Sequence, residues 1–291
     1  MHRSGFVNIL GNPNVGKSTL MNELVGEKIS IITSKAQTTR HRIMGIVSGE
    51  DFQIVYSDTP GIIKPNYQLQ SVMMKFVSTA LTDADIILYV TDVVEKAEKN
   101  ILYLEKIKHT DIPVIIAVNK IDLEKQENIN VMIKNWNQIL PEAEVIPVSA
   151  KYRTNIDYIF GRIIQLLPIG PPYYPKETLT DKSQRFFVSE IIREKILKNY
   201  SKEIPYSVSV LVESFSEEEK IIRIRSVIYV LRDSQKGIII GHQGKALKKT
   251  GTEARKDIED FLGKKVFLEL FVKVRKDWRD KASILRNFGY V

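Results

Sequence analysis

Short apolar runs alternate with stretches of helical periodicity along the first half of the chain. The runs show little polar alternation, as expected for strands buried on both faces. The candidate strands are 6–10, 54–56, 86–90, 114–118 and 145–148. This alternation predicts an α/β fold with a mostly parallel sheet and helices on both sides. The segment 43–56 resembles a hairpin with Gly49 at its turn, so one sheet edge is expected to be antiparallel.

A break in this pattern falls at residues 167–175, which contain four prolines and one glycine. Such a segment cannot continue a helix or a central strand. We therefore predict a P-loop domain over 1–170, a linker over 171–180 and a smaller α+β domain over 181–291. The second domain is expected to run helix, strand, strand, helix, loop, helix, strand. Its clearest elements are a helix at 182–200, strands at 207–214 and 221–230, and a strand at 266–274.

Charge separates the two halves more sharply than hydropathy does. Residues 1–170 carry 18 Lys and Arg against 18 Asp and Glu, whereas residues 171–291 carry 25 against 17. The whole net charge of +8 therefore lies in the second part. A basic domain beside a neutral one indicates a polyanionic partner. The alternative is a solvated basic surface without a partner.

Composition excludes several other classes of protein. The chain has no cysteine, which rules out disulfides and thiolate metal sites. No apolar run is long enough to span a bilayer, and the first residues lack the layout of a signal peptide. We expect a cytoplasmic protein. A peripheral contact between basic C-terminal helices and anionic lipid is a further hypothesis.

Residues 11–18 match the pattern G-x-x-x-x-G-K-[ST] and lie between a strand and a helix. The glycines allow the backbone to wrap around phosphates, and the helix N-terminus attracts the same anion. Lys17 is expected to reach the outer phosphates, and the Ser18 hydroxyl is expected to bind Mg²⁺. The predicted phosphate-binding residues are Gly11, Asn12, Asn14, Val15, Gly16, Lys17, Ser18 and Thr19.

Two further segments are expected to complete the phosphate site. Asp58 ends a predicted strand, where its carboxylate can hold a water of the magnesium shell. Gly61, three residues later, can offer its amide to the terminal phosphate, a contact that is lost on hydrolysis. In the polar loop 33–42, either Thr38 or Thr39 can complete the magnesium shell when the triphosphate is bound.

The segment 119–122 points to guanine as the base. A carboxylate at Asp122 can accept hydrogen bonds from N1–H and the exocyclic amine of guanine, a donor pair that adenine lacks. This argues against a P-loop metabolic kinase, the main alternative for this half. A backbone amide from 149–151 can bind the guanine oxygen, and two lysines can cover the base. The predicted base-binding residues are Asn119, Lys120, Asp122, Ser149, Ala150 and Lys151.

A glycine-framed loop in the second half points to RNA. Loops of the form G-x-x-G clamp about four nucleotides of single-stranded RNA in KH domains. The surrounding order of elements resembles the type II KH arrangement. The predicted RNA-binding residues are Gly241, His242, Gln243, Gly244, Lys245, Lys248 and Lys249. We interpret Ile238–Ile240 mainly as core, with one side chain available to line the RNA groove. Trp278 remains open between stacking on a base and packing.

Together, the motifs GNPNVGKS, QTTRH, DTPG, NKID and SAK resemble those of the translation-factor-related GTPases. The C-terminal half narrows the resemblance to the Era family of bacterial ribosome-assembly GTPases, over essentially all 291 residues. The resemblance implies a GTPase that binds GTP or GDP with Mg²⁺, with Thr39 as a magnesium ligand. Hydrolysis would rest on Lys17, Thr39 and Gly61. Asn14 matches an asparagine that helps to bind K⁺ in related GTPases, which makes K⁺ a hypothesis here.

The same resemblance implies the partners. These are the 3′ end of 16S ribosomal RNA and the 30S subunit, with the protein acting as a monomer and a link to the inner membrane. Two interpretations remain open: GTP binding changes the availability of the RNA-binding domain, or GTP is a slow timer for an assembly factor. Position 62 is an isoleucine where Ras-like enzymes carry a glutamine that orients water. We therefore predict slow intrinsic hydrolysis.

Overall fold

The computed structural model describes residues 1–95 and 101–290, which divide into two compact units. The first unit consists of residues 1–32, 39–65 and 73–181. The second consists of the chain from residue 182 onward together with two short segments, 33–38 and 66–72. Among the described residues, no helix has the length and apolar character that a membrane crossing requires.

The first unit is built on a six-stranded sheet in the order β2-β3-β1-β4-β5-β6. Only the β2–β3 pair is antiparallel; the remaining pairs of the sheet are parallel. This confirms the predicted mostly parallel sheet and the hairpin at its edge. The strands are β1 Arg3–Leu10, β2 Ile43–Ser48, β3 Phe52–Asp58, β4 Ile86–Asp92, β5 Val114–Asn119 and β6 Glu144–Pro147. The helices are α1 Lys17–Val25, α2 Gln68–Thr82, α3 Ile101–Lys108, α4 Gln126–Ile139 and α5 Ile156–Leu166. Of α2, the part from residue 73 onward belongs to this unit.

The strand order creates a switch point beside β1. After β1 the chain forms β2 and β3 on one side of β1, and it then crosses to form β4 on the other side. Ligands bind at such points because the loops that leave neighbouring strands diverge there. The loops after β1, β3 and β4 therefore meet at the carboxyl edge of the sheet.

The proline-rich segment after α5 is folded against the edge strand of the first unit. The amide of Ile46 donates a 2.8 Å hydrogen bond to the carbonyl of Leu179, and Gly45 forms a β-bridge with Thr180. Edge strands expose unpaired backbone groups, and this segment covers those of β2. The predicted linker 171–180 thus lies within the first compact unit.

A three-stranded sheet in the order β7-β8-β9 forms the base of the second unit. Antiparallel β7 and β8 are followed by β9 parallel to β8, a crossover made through α8 and α9. The strands are β7 Ser209–Glu217, β8 Ile222–Val230 and β9 Val266–Val274. The helices are α6 Gln184–Asn199, α7 Ile204–Ser207, α8 Asp233–Ile240, α9 Lys245–Leu262 and α10 Ala282–Asn287. β7 extends three residues beyond the predicted strand end at Ser214, after a register shift between Val212 and Ser214.

Candidate nucleotide and RNA sites

Glycine shapes the loop between β1 and α1. Gly16 has φ +96°, and a Cβ there would lie 2.2 Å from Nδ2 of Asn119, so only glycine fits between the phosphate loop and the base loop. No side chain caps the helix that starts at Lys17. Its first amides are therefore available to an anion, as the sequence motif requires.

Lys17 is the buried cation of this loop. Its Nζ donates to the carbonyl oxygens of Gly11 at 3.1 Å and Asn12 at 2.7 Å. Burial lowers the pKa of Lys17 from 10.5 to about 8, although the carboxylates of Asp58 and Glu95 act in the opposite direction. A bound phosphate would favour the charged form of this amine. The site is thus built to receive an anion.

Three oxygen-bearing side chains converge at the start of α1. Oδ2 of Asp58 accepts hydrogen bonds from Oγ of Ser18 at 2.6 Å and Oγ1 of Thr39 at 3.2 Å. The two hydroxyls lie 2.9 Å apart. Asp58 is fully buried, and burial raises the pKa of its carboxyl, opposed by the hydrogen bond from Ser18 and the charge of Lys17.

This oxygen cluster fits a magnesium ion. The second oxygen of Asp58, Oδ1, is buried without a hydrogen-bond partner among the described residues. Mg²⁺ prefers oxygen ligands and is usually held by one or two carboxylates, water and substrate phosphates. Ser18, Thr39 and Asp58 supply this donor set. Of the two threonines that the sequence left open, Thr39 reaches the cluster, whereas Oγ1 of Thr38 donates to the carbonyl of Lys35.

The loop after β3 is held against the phosphate loop by its backbone. A Cβ on Gly61 would lie 2.6 Å from the nitrogen of Pro13, so the two loops are in direct contact. The amide of Ile62 donates to the carbonyl of Gly11 at 3.1 Å. The Ile62 side chain is buried and apolar. It therefore offers no group that would orient an attacking water.

Asn119 connects the loop after β5 to two other loops of the predicted nucleotide site. Its Nδ2 donates to the carbonyl of Val15 at 2.9 Å, and its Oδ1 accepts from the amides of Lys120 and Ala150 at 2.8 and 3.0 Å. The bonds to Val15 and Ala150 join the loop after β5 to the phosphate loop and to the loop after β6. The short polar motif therefore fixes the phosphate loop relative to the base loops.

The carboxylate of Asp122 is oriented by Ser149, whose Oγ donates to it at 2.6 Å. Lys120 reaches back to the phosphate loop, where Nζ donates to the carbonyl of Asn14 at 2.6 Å and to Asp92 at 2.5 Å. Lys151 is exposed, with Nζ 4.8 Å from the ring centre of Tyr152.

The structure also places the remaining predicted residues of this site. Asn12 is buried and its Nδ2 donates to Glu95, Thr19 is half-buried on α1, and Asn14 is exposed with φ +67°. Sequence reasoning missed Asp92, which ends β4 and pairs with Lys120. The signal was available, because Asp92 ends a buried apolar run just as Asp58 does.

In the second unit, the glycine-framed loop follows α8 directly. Gly241 and Gly244 have φ +70° and +74°, and His242 and Gln243 between them are exposed. A Cβ on Gly241 would lie 2.6 Å from Cβ of Ala246, so the loop turns tightly into α9. This geometry leaves a nucleic-acid backbone free to approach the loop closely.

A groove of about 440 Å³ lies beside this loop, between α9 and β9. Of the three predicted lysines, which are all exposed, Lys248 lines the groove. Lys245 and Lys249 are not among its lining residues. Sequence reasoning missed Thr252 and Arg255, which also line it. Helical spacing could have identified them, since they follow Lys248 by four and seven residues on one face.

Two open interpretations are resolved by packing within this unit. Trp278 is fully buried and its Nε1 donates to the carbonyl of Ser207 at 3.1 Å, so it packs in the core and does not stack on a base. Ile239 is buried as expected for core. Ile238 is 47% exposed, so one side chain of this stretch lies outside the core, as the prediction allowed.

The sequence of each unit matches a known protein family. Residues 6–120 match the family model described as 50S ribosome-binding GTPase, and residues 203–279 match the KH domain model. The chain is 45% identical to GTPase Era of Clostridium kluyveri over 100% of both chains. It is 44% identical to GTPase Era of Staphylococcus haemolyticus, over 100% of this chain and 98% of the relative.

Two solved structures of Era proteins are similar to this chain over nearly its full length. Era in complex with MgGDPNP and nucleotides 1506–1542 of 16S ribosomal RNA matches with a TM-score of 0.96 and 38% identity over 100% of both chains. A variant of Aquifex aeolicus Era bound to GDP and AlF4⁻ matches with a TM-score of 0.95 and 38% identity over 99% of both chains. The chain therefore belongs to the Era family of GTPases.

Proposed function

We propose that this GTPase binds the 3′ end of 16S ribosomal RNA through its second unit and assists maturation of the 30S subunit. The observation that carries the proposal is the pairing, in one chain, of a magnesium-compatible phosphate site with a KH groove lined by Lys248 and Arg255. The similar Era structure with nucleotides 1506–1542 of 16S ribosomal RNA supports it.

We assign hydrolysis to positioning and electrostatic stabilisation. Lys17 and the amides at the start of α1 would hold the phosphates, and the Gly61 amide would bind the terminal one. Ser18 and Thr39 would hold Mg²⁺ directly, with Asp58 holding a water of its shell; the ion, when bound, neutralises charge on the β- and γ-phosphates. Asp122 would select guanine. Because Ile62 cannot orient water, we expect slow turnover.

A potassium ion bound through Asn14 is a separate part of the proposal. Its positive charge would replace that of an arginine finger. The test compares hydrolysis in potassium and sodium salts at equal ionic strength, with Asn14→Ala as the matched variant. Faster hydrolysis in potassium that is lost in the variant supports the role; equal rates in both salts would remove it.

Fluorescence anisotropy with an oligonucleotide of the 16S 3′-terminal sequence tests the RNA assignment. We expect tighter binding of this sequence than of a scrambled one of equal length. Measuring the affinity with GDP and with a non-hydrolysable GTP analogue separates the two interpretations of the GTPase. Different affinities indicate a switch, whereas equal affinities favour a timer. If the 3′-terminal sequence binds no more tightly than the scrambled one, the proposed RNA target is wrong.

We further propose that the protein works in the cytoplasm as a monomer. A peripheral membrane contact would arise from basic helices on anionic lipid. Co-sedimentation with vesicles that contain anionic lipid, compared with neutral vesicles, tests this contact. Binding that is equal for both vesicle types, or absent, would argue against it. Light scattering in solution gives the molar mass and so tests whether the protein is a monomer.

A further inference from the structure

A polar cluster in the first unit joins three elements through one guanidinium. Nε of Arg42 donates to Oγ of Ser57 at 2.6 Å, and Nη2 donates to Oδ1 of Asn8 at 3.1 Å. The two terminal nitrogens also donate to the carboxylate of Asp83, at 2.5 and 3.0 Å. Four hydrogen bonds from one side chain therefore link β1, β3 and the residue after α2.

The buried centre of this cluster is Asn8. It is fully buried within the apolar run 6–10 of β1, where an unpaired amide would cost free energy. Its Nδ2 donates to the carbonyl of Ala80 at 2.5 Å and to Asp83 at 2.8 Å, while its Oδ1 accepts from Arg42. Both ends of the amide are thus satisfied by groups outside β1. A polar residue kept in a buried strand indicates a network that specifies one arrangement.

The cluster is joined along the chain to both segments that surround the phosphates. Arg42 immediately precedes β2 and follows Thr39 by three residues, which is at most about 11 Å of chain. Ser57, its partner on β3, immediately precedes Asp58. Asp83 immediately follows α2, the helix reached from the loop that contains Gly61. The Arg42 side chain is 10% exposed, so its bonds to Ser57 and Asn8 are partly shielded from water, whereas those to Asp83 are exposed.

We propose that Arg42 is a positioning residue for GTP hydrolysis. It fixes the end of the Thr39 segment to β3 and to the end of α2, so that Thr39 and Gly61 meet the terminal phosphate together. This inference rests on the proposed roles of Thr39 and Gly61. Lysine keeps the charge at position 42 but cannot form the planar fork that joins three partners. The fork, rather than the charge, is the feature that positions the segments.

The experiment compares Arg42→Lys with the wild-type protein. Binding of GDP and of a non-hydrolysable GTP analogue is measured in the presence of Mg²⁺, together with kcat and KM for GTP. We expect the analogue affinity and kcat to fall about tenfold, with GDP affinity changed less than about twofold, because only the triphosphate engages Thr39 and Gly61. Equal losses for both nucleotides, or a lower unfolding temperature with an unchanged affinity ratio, would overturn the proposal.

Arg162→Lys is the matched control. Arg162 makes a comparable fork with Glu144, with hydrogen bonds of 3.1 and 2.9 Å from Nε, at the β6 edge of the sheet. It touches none of the segments around the phosphates, so its variant should keep wild-type affinities and kcat. An identical loss in this control would show that any weakened ion pair has the same effect, and would overturn the assignment to Arg42.

Asp83→Asn keeps the proposal testable if Arg42→Lys does not fold. The Asp83 side chain is 44% exposed, so we expect the fold to tolerate loss of its charge. We expect a smaller shift of the analogue-to-GDP affinity ratio, about threefold, because Asn8 and Ser57 still hold Arg42. An unchanged ratio in this variant would count against the proposal. The ratio is measured without turnover, so a wild-type protein that fails to hydrolyse GTP would contradict the proposed function separately.

Discussion

The two candidate sites differ in where their polar groups lie. In the nucleotide site Lys17, Asp58 and Asn119 are almost completely buried. Lys17 and Asn119 donate to nearby backbone carbonyls, and Oδ2 of Asp58 accepts from two hydroxyls. In the RNA loop His242 and Gln243 are exposed, and the backbone shape comes from the flanking glycines. A buried polar group costs free energy unless it is partnered. Substitutions in the first site can therefore alter stability, in either direction, as well as binding, whereas those in the second should change binding alone.

The largest expected effect comes from Lys17→Ala. Removal of the cation that faces the phosphates should lower GTP hydrolysis at least about a hundredfold. Without nucleotide the variant should be as stable as the wild type or more so, because the amine is buried and its pKa is lowered to about 8. Single-turnover hydrolysis and thermal unfolding measure both effects. Lys134→Ala, an exposed lysine on α4, should change neither. A marked loss of stability without nucleotide would contradict the cost that burial imposes on this amine.

The next largest effect is expected on base selection, in the variant Asp122→Asn. The amide at this position would present a donor to the guanine amine, so GTP affinity should fall about a hundredfold. Xanthosine triphosphate, which carries a carbonyl at that place, should bind the variant better than the wild type. Nucleotide competition measures the change. Asp111→Asn, an exposed carboxylate before β5, should leave the preference for guanine intact. Retained GTP preference in the Asp122 variant would exclude this residue as the base selector.

A smaller effect is expected in the exposed RNA site, where two neighbouring lysines offer an internal comparison. Lys248 lines the groove, whereas Lys249 points elsewhere and lies 4.0 Å from Glu253. Lys248→Ala should weaken RNA binding about tenfold and reduce the slope of log affinity against log salt by about 0.7, as for one lost phosphate contact. Lys249→Ala should change either value much less, and neither variant should alter unfolding. A larger loss of RNA affinity in Lys249→Ala than in Lys248→Ala would show that Lys249 is the residue that contacts the RNA.

The sequence predicted those parts of both sites that depend on local pattern. Lys17, Asp58 and Asp122 each follow a buried strand, so their position at the carboxyl edge could be inferred without knowing the strand order. Arg42 and Asn8 could not be linked in this way, because their contact depends on the register of β1, β2 and β3. In the second unit, the roles of neighbouring side chains depend on which face of α9 meets β9. Composition and motif spacing do not encode that face, and only packing separated Lys248 from Lys249.

The smallest expected effect concerns Ile62, an apolar side chain buried among the polar groups of the first site. Ile62→Val removes one methyl group from the core and should cost about 1 kcal/mol of unfolding free energy. Hydrolysis should change less than about twofold, because the contact of this residue with the phosphate loop is made by its amide, which the variant keeps. Denaturant unfolding and single-turnover hydrolysis measure the two quantities. A tenfold loss of hydrolysis at unchanged stability would mean that the side chain itself takes part in the chemistry, and burial alone would then no longer distinguish structural from catalytic groups in this site.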